Sequence, residues 1–388
     1  MIQFTESVAE WWRESADNIP TVLGDTTHGR IGVQFTPRCL AGTTALPQWI
    51  NLCIMVRMKT VFLTGGTGFI GSHAARRFLA HGWRVRALVR RPERAGLLPR
   101  GVEMVHGDLG EPAAYRDHLK DCVAVLHCAA ATGARSLAEF RRINVEGTAA
   151  LALAAAASCP EAMLVHVSSQ AAAGPSRNGA PVRETDTPGP VSWYGRSKLE
   201  GEMAVARHHP GPWCVVRPSI VYGAGDAGLL RIFAVVARGV APIPAGGRRR
   251  VQLMAAEDLA RVLFAAAQRP DLHGRCGFAA GDTVSMGELV RTIATLRTPH
   301  ARAVPLPDTA IRLLGLIGSM HGMISRTARP INRDKVREIL QEDWLCDGES
   351  LLRDLGITAG IPWREGLRDT CRWYVDARWL ARQAFASV

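Results

Sequence analysis

Residues Met58–Gly71, MKTVFLTGGTGFIG, decide the fold of this chain. A short apolar run, Thr60–Leu63, meets a glycine-rich turn, and the stretch behind it, Ile70–His81, has the spacing of an amphipathic helix. Gly65, Gly68 and Gly71 form a GxxGxxG pattern. Gly65 permits a tight turn, Gly68 lets the backbone approach a diphosphate, and Gly71 lets the helix pack close to the strand. The helix start then presents unpaired N–H groups and a positive dipole end to phosphate. Strand, glycine turn and helix together predict a dinucleotide site built from Gly65, Thr67, Gly68, Phe69, Ile70 and Gly71.

Outward from this loop, short apolar runs alternate with helical stretches. Strands are expected at Thr60–Leu63, Arg84–Val89, Glu103–His106, Ala124–His127, Leu164–Val167 and Cys214–Val216, with helices at Ile70–His81, Pro112–Lys120, Leu137–Ser158 and Ser192–His208. Apolar strands separated by helices imply a Rossmann-type, doubly wound parallel sheet in an α/β fold. Residues 58–222 read as the nucleotide-binding domain. Residues 223–388, richer in Gly and Pro turns, read as a smaller substrate-binding region that returns some elements to the sheet. The apolar stretch Ile311–Ile324 reads as a buried or lid helix, with a membrane contact as the alternative. Residues 1–57 lack either periodicity and read as an N-terminal extension, poorly ordered or upstream of a native start at Met58; a genuine arm is the competing reading.

Composition narrows the class. The chain has 388 residues, 47% hydrophobic and 21% charged, which excludes fibrous and disordered types. Its net charge of +12 is spread along the sequence without interleaved aromatics, so a solvated basic surface is expected rather than a nucleic-acid interface. Nine cysteines include no CxxC pair, so no disulfide framework or metal site is expected and a reducing, cytoplasmic setting is. No apolar run reaches the roughly 18–20 residues of a membrane span, and the N-terminus lacks a secretory layout.

Chemistry enters with Tyr194-Gly-Arg-Ser-Lys198 on an expected helix. Residues four apart share a helical face, so phenol and ammonium point the same way, and the cation is expected to lower the phenol pKa. Such a tyrosine can exchange a proton with an alcohol or ketone. Ser169, with Ser168 as the alternative, stands at a strand end where a hydroxyl can donate to the substrate oxygen. Asn144 is expected to brace the structure or relay protons, and His127 and His166 to sit in the core. At the end of the second strand, Val89 stands where NAD binders place a carboxylate, and Arg90 and Arg91 follow; guanidinium groups pair with a 2′-phosphate. NADP(H) is therefore preferred, with NAD(H) as the alternative, and Asp108-Leu109 suits the adenine edge.

The ordered set TGGTGFIG, HCAA (127–130), NVEGT, VSSQAAAGP, YGRSK, RPSIVYG (217–223) and EDLA (257–260) resembles the extended short-chain dehydrogenase/reductase superfamily, the NAD-dependent epimerase/dehydratase group. The resemblance implies a Ser169–Tyr194–Lys198 triad, Ala129 and Ala130 beside the cofactor, and Pro218-Ser219-Ile220 against the nicotinamide. It also implies a homodimer through the helices around the tyrosine. Two departures matter. Dehydratases follow the catalytic hydroxyl with Asp-Glu, where this chain has Gln170-Ala171; nucleotide-sugar epimerases commonly carry an arginine at the place of Val251, although Arg250 is adjacent. The SSxxxAGP stretch is similar to 3β-hydroxysteroid dehydrogenases, with dihydroflavonol reductases close behind. The expectation is hydride transfer between NADP(H) and a secondary alcohol or ketone of an apolar, sterol- or isoprenoid-like small molecule. A nucleotide-sugar epimerase and a non-catalytic NADP(H) sensor are the alternatives, the sensor disfavoured because it has no need of the three catalytic residues.

Overall fold

The computed structural model describes residues 21–25, 30–34, 58–325, 333–358 and 360–385. The chain divides into two units, Met1–Met58 and Lys59–Val388. In the first, β1 (Thr21–Asp25) and β2 (Arg30–Gln34) form an antiparallel hairpin; the reading of the rest of residues 1–57 lies outside the described residues.

The second unit is built on a seven-stranded sheet, every pair parallel. Its strands are β3 (Thr60–Thr64), β4 (Arg84–Val89), β5 (Glu103–His106), β6 (Ala124–His127), β7 (Met163–Val167), β8 (Trp213–Pro218) and β12 (Arg275–Ala279). Their order is β12-β8-β7-β6-β3-β4-β5, so chain direction across the sheet reverses between β3 and β6. Ligands of such sheets bind at the strand carboxyl ends beside that reversal. β3, β6 and β7 are buried along their whole length, which is why they read as uninterrupted apolar runs. The fold is the Rossmann-type α/β sheet that the alternating pattern predicts. β12 joins the sheet from the C-terminal half; its sequence RCGFA carries no apolar run to announce it.

Helices cover both faces: α1 (Phe69–Ala80), α2 (Leu137–Arg141), α3 (Gly147–Ser158), α4 (Gln170–Ala173) and α5 (Trp193–His208). The helix expected over Pro112–Lys120 is instead two 3-10 turns, Pro112–Ala114 and Arg116–Leu119. Tyr115, between them, puts its ring into the core against Phe62, and its hydroxyl donates to the Leu109 carbonyl, so tertiary packing overrides the helical register. The helix expected over Leu137–Ser158 contains a π-turn, Arg142–Glu146, between α2 and α3.

Later elements are α6 (Leu230–Val236), α7 (Ala256–Ala266), α8 (Met286–Thr295), α9 (Asp308–Ser325), α10 (Arg333–Ile339), α11 (Glu349–Asp354) and α12 (Trp363–Asp376). A small sheet runs β13 (Asp282–Ser285), β11 (Arg250–Ala255), β9 (Ile220–Tyr222), and β10 (Val240–Pro244) pairs in parallel with β14 (Arg302–Leu306). α7 packs on α1 through Phe264, which meets Phe78 and Trp83 edge to face at 5.1 and 5.9 Å. Phe78 is 1% exposed, and burying such a ring stabilises by about 1.5–3 kcal/mol. That contact fixes the helix behind the glycine loop.

Candidate active site

The glycine loop is shaped by two backbone approaches. Gly65 has φ +71°, and a Cβ there would lie 2.5 Å from the Ala129 nitrogen, so the turns after β3 and β6 meet at the reversal point. A Cβ on Gly71 would lie 2.2 Å from the Gly65 carbonyl oxygen, so α1 can seat against the turn only with glycine there. α1 starts at Gly68 with no side-chain cap and no acidic residue in its first turn, leaving its N–H groups to an anion. Ser219, just beyond β8, has a buried hydroxyl with no partner among the described residues, a polar atom fit to meet a ligand at the strand edge. The cradle, the uncapped helix and this orphaned hydroxyl suit a dinucleotide.

At the second strand, Val89 is buried and Arg90 and Arg91 are exposed. Arg90 lies 3.4 Å from Asp108, whose other oxygen accepts from the Gly110 N–H; these contacts hold the Asp108 carboxyl below its usual range, the backbone bond foremost. Leu109 turns inward, packed so close to α3 that a Cβ on Gly147 would sit 2.7 Å from it. Ala130, Ile70, Phe69 and Thr67 are half-buried, Pro218 ends β8 buried, and Ile220 is 41% exposed.

Tyr194, Lys198 and Ser169 come together at the carboxyl ends of β6 and β7. The Ser169 side chain accepts from the Ala171 N–H at 3.1 Å, which caps α4, and its hydroxyl stands near enough to the Tyr194 phenol to lower that group's pKa. Ser168 is unavailable: its hydroxyl donates to buried Glu202. The Lys198 ammonium is 1% exposed and donates to the Val167 carbonyl at 2.8 Å, with His166 Nε2 at 3.4 Å. Burial pulls its pKa down to about 8, against the opposing pull of Glu202 and Cys128. The Tyr194 phenol departs from expectation. Burial pushes it up to about 12, the Ser169 bond opposes, and the Glu338 charge adds to the rise. Desolvation dominates, and the Lys198 ammonium, which donates to Val167, is not among the groups that lower the phenol.

Buried polar groups hold this set in place. Asn144, inside the π-turn, donates to the Ala131 carbonyl at 3.0 Å and to Ser197 Oγ at 2.9 Å, and accepts from the Ala131 N–H at 2.7 Å. It therefore ties the β6 loop to the helix carrying Tyr194. Thr148 Oγ1 donates to the Asn144 carbonyl, so it can only accept from His127 Nε2, and Thr64 then donates to His127 Nδ1 at 2.6 Å. His127 is thus locked neutral, its pKa lowered by burial and then Lys198 to about 3. Glu202, one turn beyond Lys198, is paired with Arg217 by two hydrogen bonds of 3.0 and 2.6 Å, both side chains about 5% exposed or less.

Sequence reasoning missed a clasp from the C-terminal half. Both oxygens of Asp334 accept from the Trp193 N–H, at 2.9 and 3.1 Å, and Glu338 accepts from the Ser192 hydroxyl. Ser192 in turn accepts from the Gly195 N–H at 3.0 Å. α10 thereby caps the first turn of α5, the turn that carries Tyr194. The only trace in sequence is two acids four apart, Asp334 and Glu338, on a strongly basic segment. Among the described residues no cluster of metal-ligating side chains occurs and seven cysteines are free thiols.

A Rossmann sheet, a glycine cradle at the reversal point and a Ser–Tyr–Lys group at the neighbouring strand end define an NAD(P)-binding class. The chain belongs to the NAD dependent epimerase/dehydratase family, whose profile matches residues 61–277. It is 32% identical over 332 residues to the ceramide reductase of Caulobacter vibrioides, covering 84% of this chain and 98% of that one. It is 26% identical to the UDP-glucose 4-epimerase of Vibrio cholerae, covering 71% and 87% respectively. Among solved structures, MoeE5 in complex with UDP-glucose and NAD superposes with a TM-score of 0.65 at 25% identity, over 82% of this chain and 99% of that one.

Proposed function

We propose that this chain is an oxidoreductase that transfers hydride between NADP(H) and a secondary alcohol or ketone on an apolar, lipid-like molecule. The observation that carries the reading is Ser169 at the end of β7, with Tyr194 and the buried Lys198 one turn apart on α5 and the Lys198 ammonium bonded to the Val167 carbonyl of that same strand end. The nicotinamide supplies or accepts the hydride. In reduction, Tyr194 gives its proton to the carbonyl oxygen and Ser169 donates a hydrogen bond to the same oxygen as charge develops. In oxidation the phenolate removes the hydroxyl proton. Lys198 would hold the cofactor ribose and, released from Val167, lower the phenol pKa. Gly65, Thr67, Gly68, Phe69, Ile70 and Gly71 would hold the diphosphate, Arg90 and Arg91 the 2′-phosphate, and Asp108, Ala129, Ala130, Pro218, Ser219 and Ile220 the remaining edges. Residues 223–388 would supply most substrate contacts. Likeness to a ceramide reductase over nearly its whole length, and Gln170-Ala171 in place of an acid pair, support reduction of an apolar ketone over dehydration.

Tyr194→Phe should bind NADPH as the parent does and lose about 10²–10⁴-fold in turnover on sphingoid, sterol and isoprenoid ketones. Turnover near the parent's would overturn the assignment. A nucleotide-sugar epimerase is the second reading, favoured by the 26% identity to a UDP-glucose 4-epimerase; an open cleft of about 520 Å³ is lined by Arg248, Arg249, Asp308, Glu342 and Asp343, charges of both signs. Against it, Arg249 is already paired with Asp308 and the Ile339 carbonyl, and Arg250 with Asp343, which leaves less positive charge for a diphosphate. Interconversion of UDP-sugars without net NADP(H) turnover would establish the epimerase instead.

A further inference from the structure

α9 turns the usual amphipathic order inside out. At 100° per residue, Ile311, Gly315 and Ser319 share one face, and Leu313, Leu314 and Ile317 share the opposite one. The first face is the inner one: Ile311 is 4% exposed, Gly315 is buried, and Ser319 accepts from the Arg333 N–H at 2.9 Å. The outer three are 56, 45 and 53% exposed. The helix buries Ile311 with small residues on its inner face and shows Leu313, Leu314 and Ile317 to solvent. A single exposed leucine is ordinary; three on one face within five residues mark a docking surface.

Charge identifies what docks. Between Arg297 and Glu338 the sequence holds eight Arg or Lys (297, 302, 312, 326, 329, 333, 335, 337) against Asp308, Asp334 and Glu338, a net +5; of these, Lys335 is paired with Glu338 and Arg337 with Asp334. Asp308 is occupied by Arg249 and Asp334 by the Trp193 backbone. Arg312, next to Leu313, is exposed and has no ionic partner among the described residues; Arg302 is exposed too. Apolar side chains flanked by arginines match a surface that is greasy below and negatively charged above.

We propose that α9 lies in the interface of an anionic phospholipid bilayer, with Leu313, Leu314 and Ile317 at the acyl boundary and Arg312 reaching back to the phosphates. No described helix is long and apolar enough to cross a membrane, so α9 lies on the bilayer rather than through it. The proposal deepens the reading of an apolar substrate and rests on it: the bilayer is where such a ketone or alcohol is dissolved.

The test is sedimentation of the purified full chain with vesicles, without substrate or cofactor. The chain should pellet with vesicles of phosphatidylcholine mixed with phosphatidylglycerol and stay in solution with phosphatidylcholine alone, and added salt should weaken binding. Leu313→Glu combined with Ile317→Glu should weaken partition by about tenfold or more, while Val123→Glu, an exposed apolar site on the nucleotide-binding part, should not change it. Unchanged melting temperature and NADPH binding in the variants would show that the fold is intact. No pelleting with the anionic vesicles, or pelleting equal in the double variant, overturns the proposal. So does a double variant whose only change is its oligomeric state, which would assign the face to a second copy of the chain. Vesicle binding without turnover on apolar ketones would sink the substrate reading alone; turnover without vesicle binding would sink this one alone.

Discussion

At the scale of single residues, the site keeps its proton on Tyr194 and its charge, less securely, on Lys198. With the phenol at about 12 the group is protonated at neutral pH, the form that the proposed carbonyl reduction requires of its acid. With the ammonium at about 8, well below its usual 10.5, Lys198 loses its charge as pH rises through that value. The kcat/KM for reduction, which reports the free enzyme, should therefore fall above about pH 8; a profile flat through that range would contradict the role given to the lysine. Replacing Arg90 and Arg91 together by Ala should raise the KM for NADPH by about 10–100-fold and leave that for NADH nearly unchanged, since charge-assisted hydrogen bonds contribute roughly 1.5–3 kcal/mol. Equal effects on both cofactors would remove the 2′-phosphate reading. The residues of the cradle and the YxxxK were legible because local rules place them. The choice between Ser168 and Ser169 was not, because Glu202, 34 positions onward, takes the first hydroxyl.

At the scale of elements, the first turn of α5 depends on α10. Asp334→Ala removes the acceptor of the Trp193 N–H and should cost about 0.5–2 kcal/mol, as loss of an N-terminal cap does, visible as a lower urea midpoint. Glu338→Gln takes a negative charge from beside the phenol, so the Tyr194 pKa should fall and the rising limb of alcohol oxidation should move to lower pH. A limb that stays in place would separate Glu338 from the proton transfer. Sequence periodicity found the helices that pack by one face, such as Phe69–Ala80 and Trp193–His208. It misread Pro112–Lys120, where Tyr115 breaks the register, and could not see the π-turn at Arg142–Glu146, from which Asn144 bonds both Ala131 and Ser197.

At the scale of the whole molecule, the parallel sheet carries its own acid sensitivity. His127 and His166 are buried neutral, the first held near 3 and the second lowered by burial and by Lys198. The unfolded chain binds a proton on each below about 6.5, so it holds more protons than the native state and stability is lost as pH falls from there toward 3. The slope should approach about 1.4 kcal/mol per pH unit for each histidine, read as a falling urea midpoint, and a midpoint constant over that window would show that the rings are charged in the fold. Six of the seven strands were legible as apolar runs, whereas β12 is recruited by its pairing with β8 and not by its own composition.

The clasp also sets an order of events at birth. Ribosomes deliver the nucleotide-binding half first, and domains commonly fold as they emerge. The carboxylates that seat the turn carrying Tyr194, the proposed acid, arrive more than 130 residues behind it, with Asp334 and Glu338. On the proposed function, a nascent chain would grip its cofactor before it could turn anything over.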